Sequence, residues 1–207
     1  MQAGTVFVLD EVITSRLGPG GLRRELGLEP DMVTLGKWLG GGMPFGAFGG
    51  REDIIGVFDP RMGTALSHSG TFQNNTMMLN AGYVALSEVY TPEVAKTFNE
   101  YGDNLRQRLQ KVVRGTRLSV TGRGSLLCIH ATTSGLAAES ITCKDDIMAV
   151  EDADLKRLLW LELLDAGFWV QMRGSIALNL PTPQEALDSL IEAVENFCSK
   201  YRELISL

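Results

Sequence analysis

Histidine and cysteine are scarce in this chain, at 2 and 3 of 207 residues. His68 and His130, with three cysteines and no C-x-x-C pair, offer too few clustered ligands for a metal centre. The odd, widely spaced set Cys128, Cys143 and Cys198 argues against a disulfide framework. Basic residues are not in excess: 19 Lys and Arg stand against 25 Asp and Glu, a net charge of -6. Nucleic acid and anionic membrane surfaces are therefore poor partners. No apolar run approaches the ~18 residues that suggest a membrane span. The amino terminus has no basic segment followed by an apolar signal region, so the cytoplasm is the expected location.

What is plentiful is apolar side chains, 44%, and glycine, 23 residues clustered at 18–21, 40–42 and 46–50. The composition is that of a folded globular protein, and clustered glycine marks tight turns rather than a flexible linker. The apolar run 6–9 reads as a fully buried strand of a parallel sheet, with further strands at 32–35 and 47–48. Residues 22–26 and 52–58 read as short helices, and 78–89 as a longer one. Thr91 as N-cap and Pro92 at the first position open a long helix that reaches Val112. Strands follow at 117–121 and 126–131, a helix at 154–164, and strands at 168–170 and 175–180. Thr182-Pro183-Gln184-Glu185 reads as a capping box that starts the last helix. A buried strand needs neighbours on both sides, and none precedes 6–9. Either later strands flank it or a front half is missing.

Three features carry chemistry. Asp10 lies at the carboxyl end of a strand, where ligands of open α/β sheets bind; its bland alternative is a loop carboxylate that accepts a backbone N–H. Lys37 follows a second strand and precedes three glycines. It is either a solvated surface charge or a desolvated amine able to attack a carbonyl. The segment 67–75, with Ser67, Gly70 and Thr71, stands before a helix and suits a phosphate, or is an ordinary cap. No P-loop, G-x-G-x-x-G or G-x-S-x-G is present, and His130 inside an apolar strand reads as structural. A lysine, an acid and a phosphate turn together point to pyridoxal phosphate, which needs one of each.

These segments also carry a resemblance. Val6 to Val12 with its Asp-Glu-Val, Thr34-Leu35-Gly36-Lys37, Gly40-Gly41-Gly42-Met43-Pro44, residues 46–50 and 68–72 resemble the class III aminotransferases of fold type I. The branch is the one that contains glutamate-1-semialdehyde aminomutase and β-phenylalanine aminotransferase. Residues 17–22, 58–61 and 173–181 lean toward the β-amino acid type. The resemblance implies the carboxyl half of that fold: residues 1–91 as part of the large mixed-sheet domain, 92–114 as a connecting helix, and 115–207 as a small α+β domain. It implies pyridoxal 5'-phosphate as cofactor, with Lys37 linked to it and later moving a proton. Asp10 pairs with the pyridinium nitrogen, Val12 packs on the ring face, and Gly70 with Thr71 reaches the phosphate in the partner of a homodimer. Arg173 corresponds to a position at the substrate entrance. The implied activity is transamination between an amino acid, including β-amino acids, and a carbonyl acceptor. An aminomutase-like isomerase and a non-catalytic cofactor-binding remnant are the alternatives, because the other half of the active site is expected to be absent.

Overall fold

The computed structural model describes residues 4–207, which form two compact units, one up to Thr97 and one of Phe98–Leu207. In the first unit, β1 (Val8–Asp10), β2 (Met32–Gly36) and β3 (Gly46–Gly50) make a sheet in that order. β1 and β2 are parallel, with Asp10 opposite Thr34; β3 is antiparallel to β2, with Thr34 opposite Phe48. The carboxyl ends of β1 and β2 thus lie at one end of the sheet. Helix α1 (Gly21–Glu25) joins β1 to β2, and α2 (Glu52–Ile55) follows β3. Helix α3 (Thr76–Val84) is capped by the Asn75 side chain, which accepts from Met78 N–H at 3.2 Å, and runs on as a π-turn, Ala85–Val89.

The front strand departs from expectation. Val6, Phe7 and Val8 are 49%, 39% and 49% exposed. A parallel strand is buried only where layers cover both faces, and among the described residues no strand pairs with the outer edge of β1. Polar contacts hold the strand instead. The buried Asp31 carboxylate accepts Phe7 N–H at 2.7 Å and Arg51 Nη1 at 2.7 Å, which ties the start of β1 to the end of β3. Those two donors, Phe7 first, hold Asp31 below the usual carboxylate range. Ala95 is the single buried apolar side chain described in this unit.

The apolar core sits in the second unit. Helix α4 (Pro92–Val112) begins as predicted, with Thr91 Oγ1 accepting Val94 N–H at 3.3 Å, and contributes Leu105 and Leu109. They are buried together with residues of β4 (Leu118–Arg123) and β5 (Leu126–Ala131), which with β6 (Ser175–Ala177) form an antiparallel sheet in the order β4-β5-β6. Helix α5 (Lys144–Met148) is short. Helices α6 (Ala153–Asp165) and α7 (Gln184–Lys200) complete the core with Leu159, Val194 and Phe197, and α8 (Arg202–Ile205) adds Ile205. Gly102 of α4 passes so close to the Gly124 carbonyl that a Cβ would not fit. There Asn99 Oδ1 accepts Ser125 N–H at 2.9 Å and Asp103 Oδ1 accepts Gly124 N–H at 3.0 Å.

Two expected elements are absent. Residues 168–170 form no strand; Trp169 is 90% exposed, and the Val170 carbonyl accepts the Trp160 indole N–H at 3.1 Å rather than a ladder bond. The predicted capping box of α7 does not form, because Thr182 Oγ1 donates to Asn179 Oδ1 at 2.7 Å and Pro183 becomes the N-cap without a side-chain bond. The strand expected at 175–180 stops at Ala177.

Candidate active site

Asp10 and Lys37 stand at the same end of two paired parallel strands. Asp10 closes β1, and Lys37 is the residue after Gly36, which closes the neighbouring parallel strand. Three contacts link the two chain segments. Thr34 Oγ1 donates to Asp10 Oδ1 at 3.1 Å. Val12 N–H donates to the same oxygen at 2.9 Å, while the Val12 side chain packs on Gly36, whose Cβ position lies 3.4 Å from Val12 Cγ1. Trp38 Nε1–H donates to Ser15 Oγ at 2.9 Å. Both bonds to Asp10 fall on Oδ1. Among the described residues Oδ2 accepts none, so one carboxylate oxygen is available for a ligand.

Lys37 has a φ of 52°, in the left-handed region that non-glycine residues avoid. Such a residue stores about 1–3 kcal/mol and persists only where its surroundings over-determine it. Here the flanking backbone does so. Gly36 and Gly40 are both buried against Phe45, and Gly41 meets the Ala81 carbonyl of α3 where no Cβ could fit. Lys37 and Asp10 are exposed, so the described residues of this chain do not supply the desolvation of Lys37 that the sequence suggested.

Glu11, beside Asp10, does different work. Successive strand-end residues face opposite ways. Glu11 is 2% exposed and accepts Thr14 Oγ1 at 2.6 Å, Arg23 N–H at 2.6 Å and Leu22 N–H at 3.2 Å. Its carboxylate fills the space at Gly21 (φ 73°) where a Cβ would lie, and satisfies the first amides of α1. The period-2 alternation was the signal that separates Glu11 from Asp10. Thr34, Ser15 and Trp38 gave no sequence signal of their own.

The segment 67–75 is exposed throughout. His68 meets Phe48 edge-on and Phe58 at a tilt, with ring centroids 5.2 and 5.3 Å away, and its Nε2 lies 2.8 Å from Gln73 Nε2. Because Phe48 lies opposite Thr34, this ring cluster shares the sheet face of Asp10. Gly70 and Thr71 follow in a turn closed by the bond from Gln73 N–H to the Gly70 carbonyl, 3.0 Å. Arg173 belongs to the second unit and is exposed; its carbonyl accepts Cys128 Sγ–H at 3.6 Å, next to Gly174 (φ 86°). A cavity of about 670 Å³ opens on the other sheet face, lined by Val33, Leu35, Trp38, Leu39 and Tyr90; Asp10 and Lys37 do not line it.

The family profile described as "Aminotransferase class-III" matches residues 1–196. The chain belongs to the class III aminotransferases. This class III chain is 48% identical over 202 residues to an uncharacterised aminotransferase of Schizosaccharomyces pombe, covering 98% of itself and 45% of that protein. It is 41% identical to the β-phenylalanine transaminase of Variovorax paradoxus, over 99% of itself and 46% of the relative. The crystal structure of a β-phenylalanine aminotransferase from that organism superposes with a TM-score of 0.90, again over 99% and 46%. A glutamate-1-semialdehyde aminomutase of Pseudomonas aeruginosa, 22% identical with a TM-score of 0.78 over 93% and 44%, shares the fold. The aminotransferase chain thus spans less than half the length of the relatives it matches. Its fold is the mixed α/β arrangement of those transaminases, and no helix among the described residues is long and apolar enough to cross a membrane.

Proposed function

We propose that this chain carries the cofactor-binding lysine and acid of a pyridoxal-phosphate-dependent transaminase that acts on an amino acid, including β-amino acids, with a carbonyl acceptor. The observation that carries the reading is the placement of Lys37 and the free Oδ2 of Asp10 at one end of two paired strands. The donor set fits the group: an amine for its aldehyde, an uncommitted carboxylate oxygen for its ring nitrogen, and a hydroxyl at Thr71 for its phosphate.

When bound, pyridoxal phosphate supplies an aldehyde that condenses with amines and a ring that delocalises the electron pair left on the substrate carbon. Asp10 Oδ2 would accept the ring N–H and keep that nitrogen protonated; a charge-assisted bond of this type is about twice as strong as a neutral one. Val12 would pack against the ring face. Lys37 Nζ would hold the group covalently and, when free, would serve as the base that moves a proton at the reacting carbon. Gly70 and Thr71 would hold the phosphate of the group bound to a second copy, which calls for a homodimer. The exposed Phe72, Met77 and Tyr83, at 84%, 72% and 70%, support a partner surface beside that turn. For Arg173, a place at the substrate entrance rests on the resemblance alone. Three free cysteines, Cys128, Cys143 and Cys198, support a reducing cytoplasmic location.

A second reading, a cofactor-binding module without turnover, rests on the exposure of Lys37 and Asp10. The aminomutase alternative has weaker support, at 22% identity against 41% for the transaminase. The deciding experiment adds pyridoxal phosphate to the purified chain. A visible band, lost on borohydride reduction with the label mapped to Lys37 and absent in Lys37→Ala, supports the assignment. A label spread evenly over the lysines refutes it. Product release from an amino donor then separates turnover from binding alone.

A further inference from the structure

We infer that Trp38 and Ser15 are positioning residues for Lys37, a role that rests on the reading of Lys37 as the cofactor-linked lysine. Trp38 is peptide-bonded to Lys37, and its indole is held from two sides. Nε1–H donates to Ser15 Oγ at 2.9 Å, and the ring meets Tyr90 edge-on at 4.8 Å between centroids. Neither partner is free to follow a wandering indole. Ser15 is buried in the helical turn Thr14–Leu17 that leaves β1, and its own N–H is tied to the Glu11 carbonyl at 3.0 Å. Tyr90 Oη donates to the Arg16 carbonyl at 2.7 Å, so both anchors of Trp38 return to the segment that starts at Asp10.

This arrangement fixes two quantities at once. The first is the backbone of Lys37, left-handed at φ 52° and therefore unstable unless Gly36 and Trp38 are both pinned. The β2–β3 ladder, in which Gly36 pairs with Gly46, pins Gly36; Ser15 and Tyr90 pin Trp38. The second is the spacing between the Lys37 turn and the Asp10 strand end, since the Thr34–Asp10 and Trp38–Ser15 bonds cross the same gap at two points. A tethered amine reacts fast only when held near its target. An exposed lysine without this clamp samples the right-handed basin, and its amine is no longer held in one position.

The test is borohydride trapping of added pyridoxal phosphate on the full chain, read as the labelling rate at Lys37 relative to the other lysines by peptide mass mapping, and as the pH titration of the visible band. Ser15→Ala and Trp38→Phe are each expected to slow labelling at Lys37 about three- to tenfold, the scale of one neutral hydrogen bond, and to shift the midpoint of the band. Ser15→Thr, which keeps the hydroxyl, restores both. The double variant is no slower than the slower single one, because both remove the same bond. Labelling rate and midpoint that match the unsubstituted chain in Ser15→Ala overturn the inference, even if the melting temperature falls. Failure of the unsubstituted chain to label Lys37 preferentially overturns the underlying assignment instead, and the two failures are distinct.

Discussion

Asp10→Asn probes the site with little disturbance to the fold, because the two donors at Oδ1 dictate how the new amide must sit. Val12 N–H at 2.9 Å and Thr34 Oγ1–H at 3.1 Å both require an acceptor there. The amide oxygen takes that position, and the NH2 group takes the place of Oδ2. The strand end therefore keeps both of its bonds. A protonated ring nitrogen then meets a donor where it had an anion. A hydrogen bond to a charged group contributes about 1.5–3 kcal/mol. Asp10 is exposed, so screening favours the lower figure, which corresponds to roughly tenfold weaker binding at 1.4 kcal/mol per decade. The assay is an absorbance titration of the chain with pyridoxal phosphate, beside a thermal melt. Tenfold weaker binding with an unchanged melt is the expected result. Equal affinity in the Asn variant refutes the pairing of Asp10 with the ring nitrogen, and a large loss of stability refutes the claim that Oδ1 alone serves the fold.

Three other outcomes are expected. Thr71→Ala weakens cofactor binding by about 1–3 kcal/mol, as for an unpaired charged hydrogen bond, and does so only in the dimeric species separated by sedimentation. Leu109→Ala, at a side chain with 0% exposure, lowers unfolding free energy by about 2–5 kcal/mol in denaturant titration, whereas Leu66→Ala, at 59% exposure, leaves it nearly unchanged. His130 is held below its usual pKa of 6.5, first by burial and then by Lys156 nearby, while Thr121 Oγ1 lies 2.7 Å from its Nε2. The unfolded chain takes up a proton below pH 6.5 that the folded chain refuses, so stability falls with pH from 6.5 down to the lowered folded value. His130→Gln flattens that part of the stability profile measured by melts across pH; an identical slope in the variant refutes the assignment.

The chemistry was more legible in this sequence than the packing. Asp10 and Lys37 could be placed because each lies next to a strand end, and the parallel pairing of those strands brings the ends together whatever covers the sheet. The burial of 6–9 could not be read in the same way. An apolar run records that a layer is wanted, not that it is present, and in this chain Phe7 and Val8 stay exposed while Asp31 and Arg51 hold the strand through polar bonds. Thr182 shows the same limit locally. A Ser/Thr side chain can serve the helix ahead or a neighbour behind, and Asn179 wins. The contact of Trp38 with Ser15 spans 23 positions and links residue types that usually pack without consequence. Only its pairing with a left-handed Lys37 gives it meaning. Strain at that lysine and the clamp beside it are therefore one feature: the backbone accepts an unfavourable φ because the neighbouring indole is fixed, and the fixed indole is what sets the amine relative to the acid.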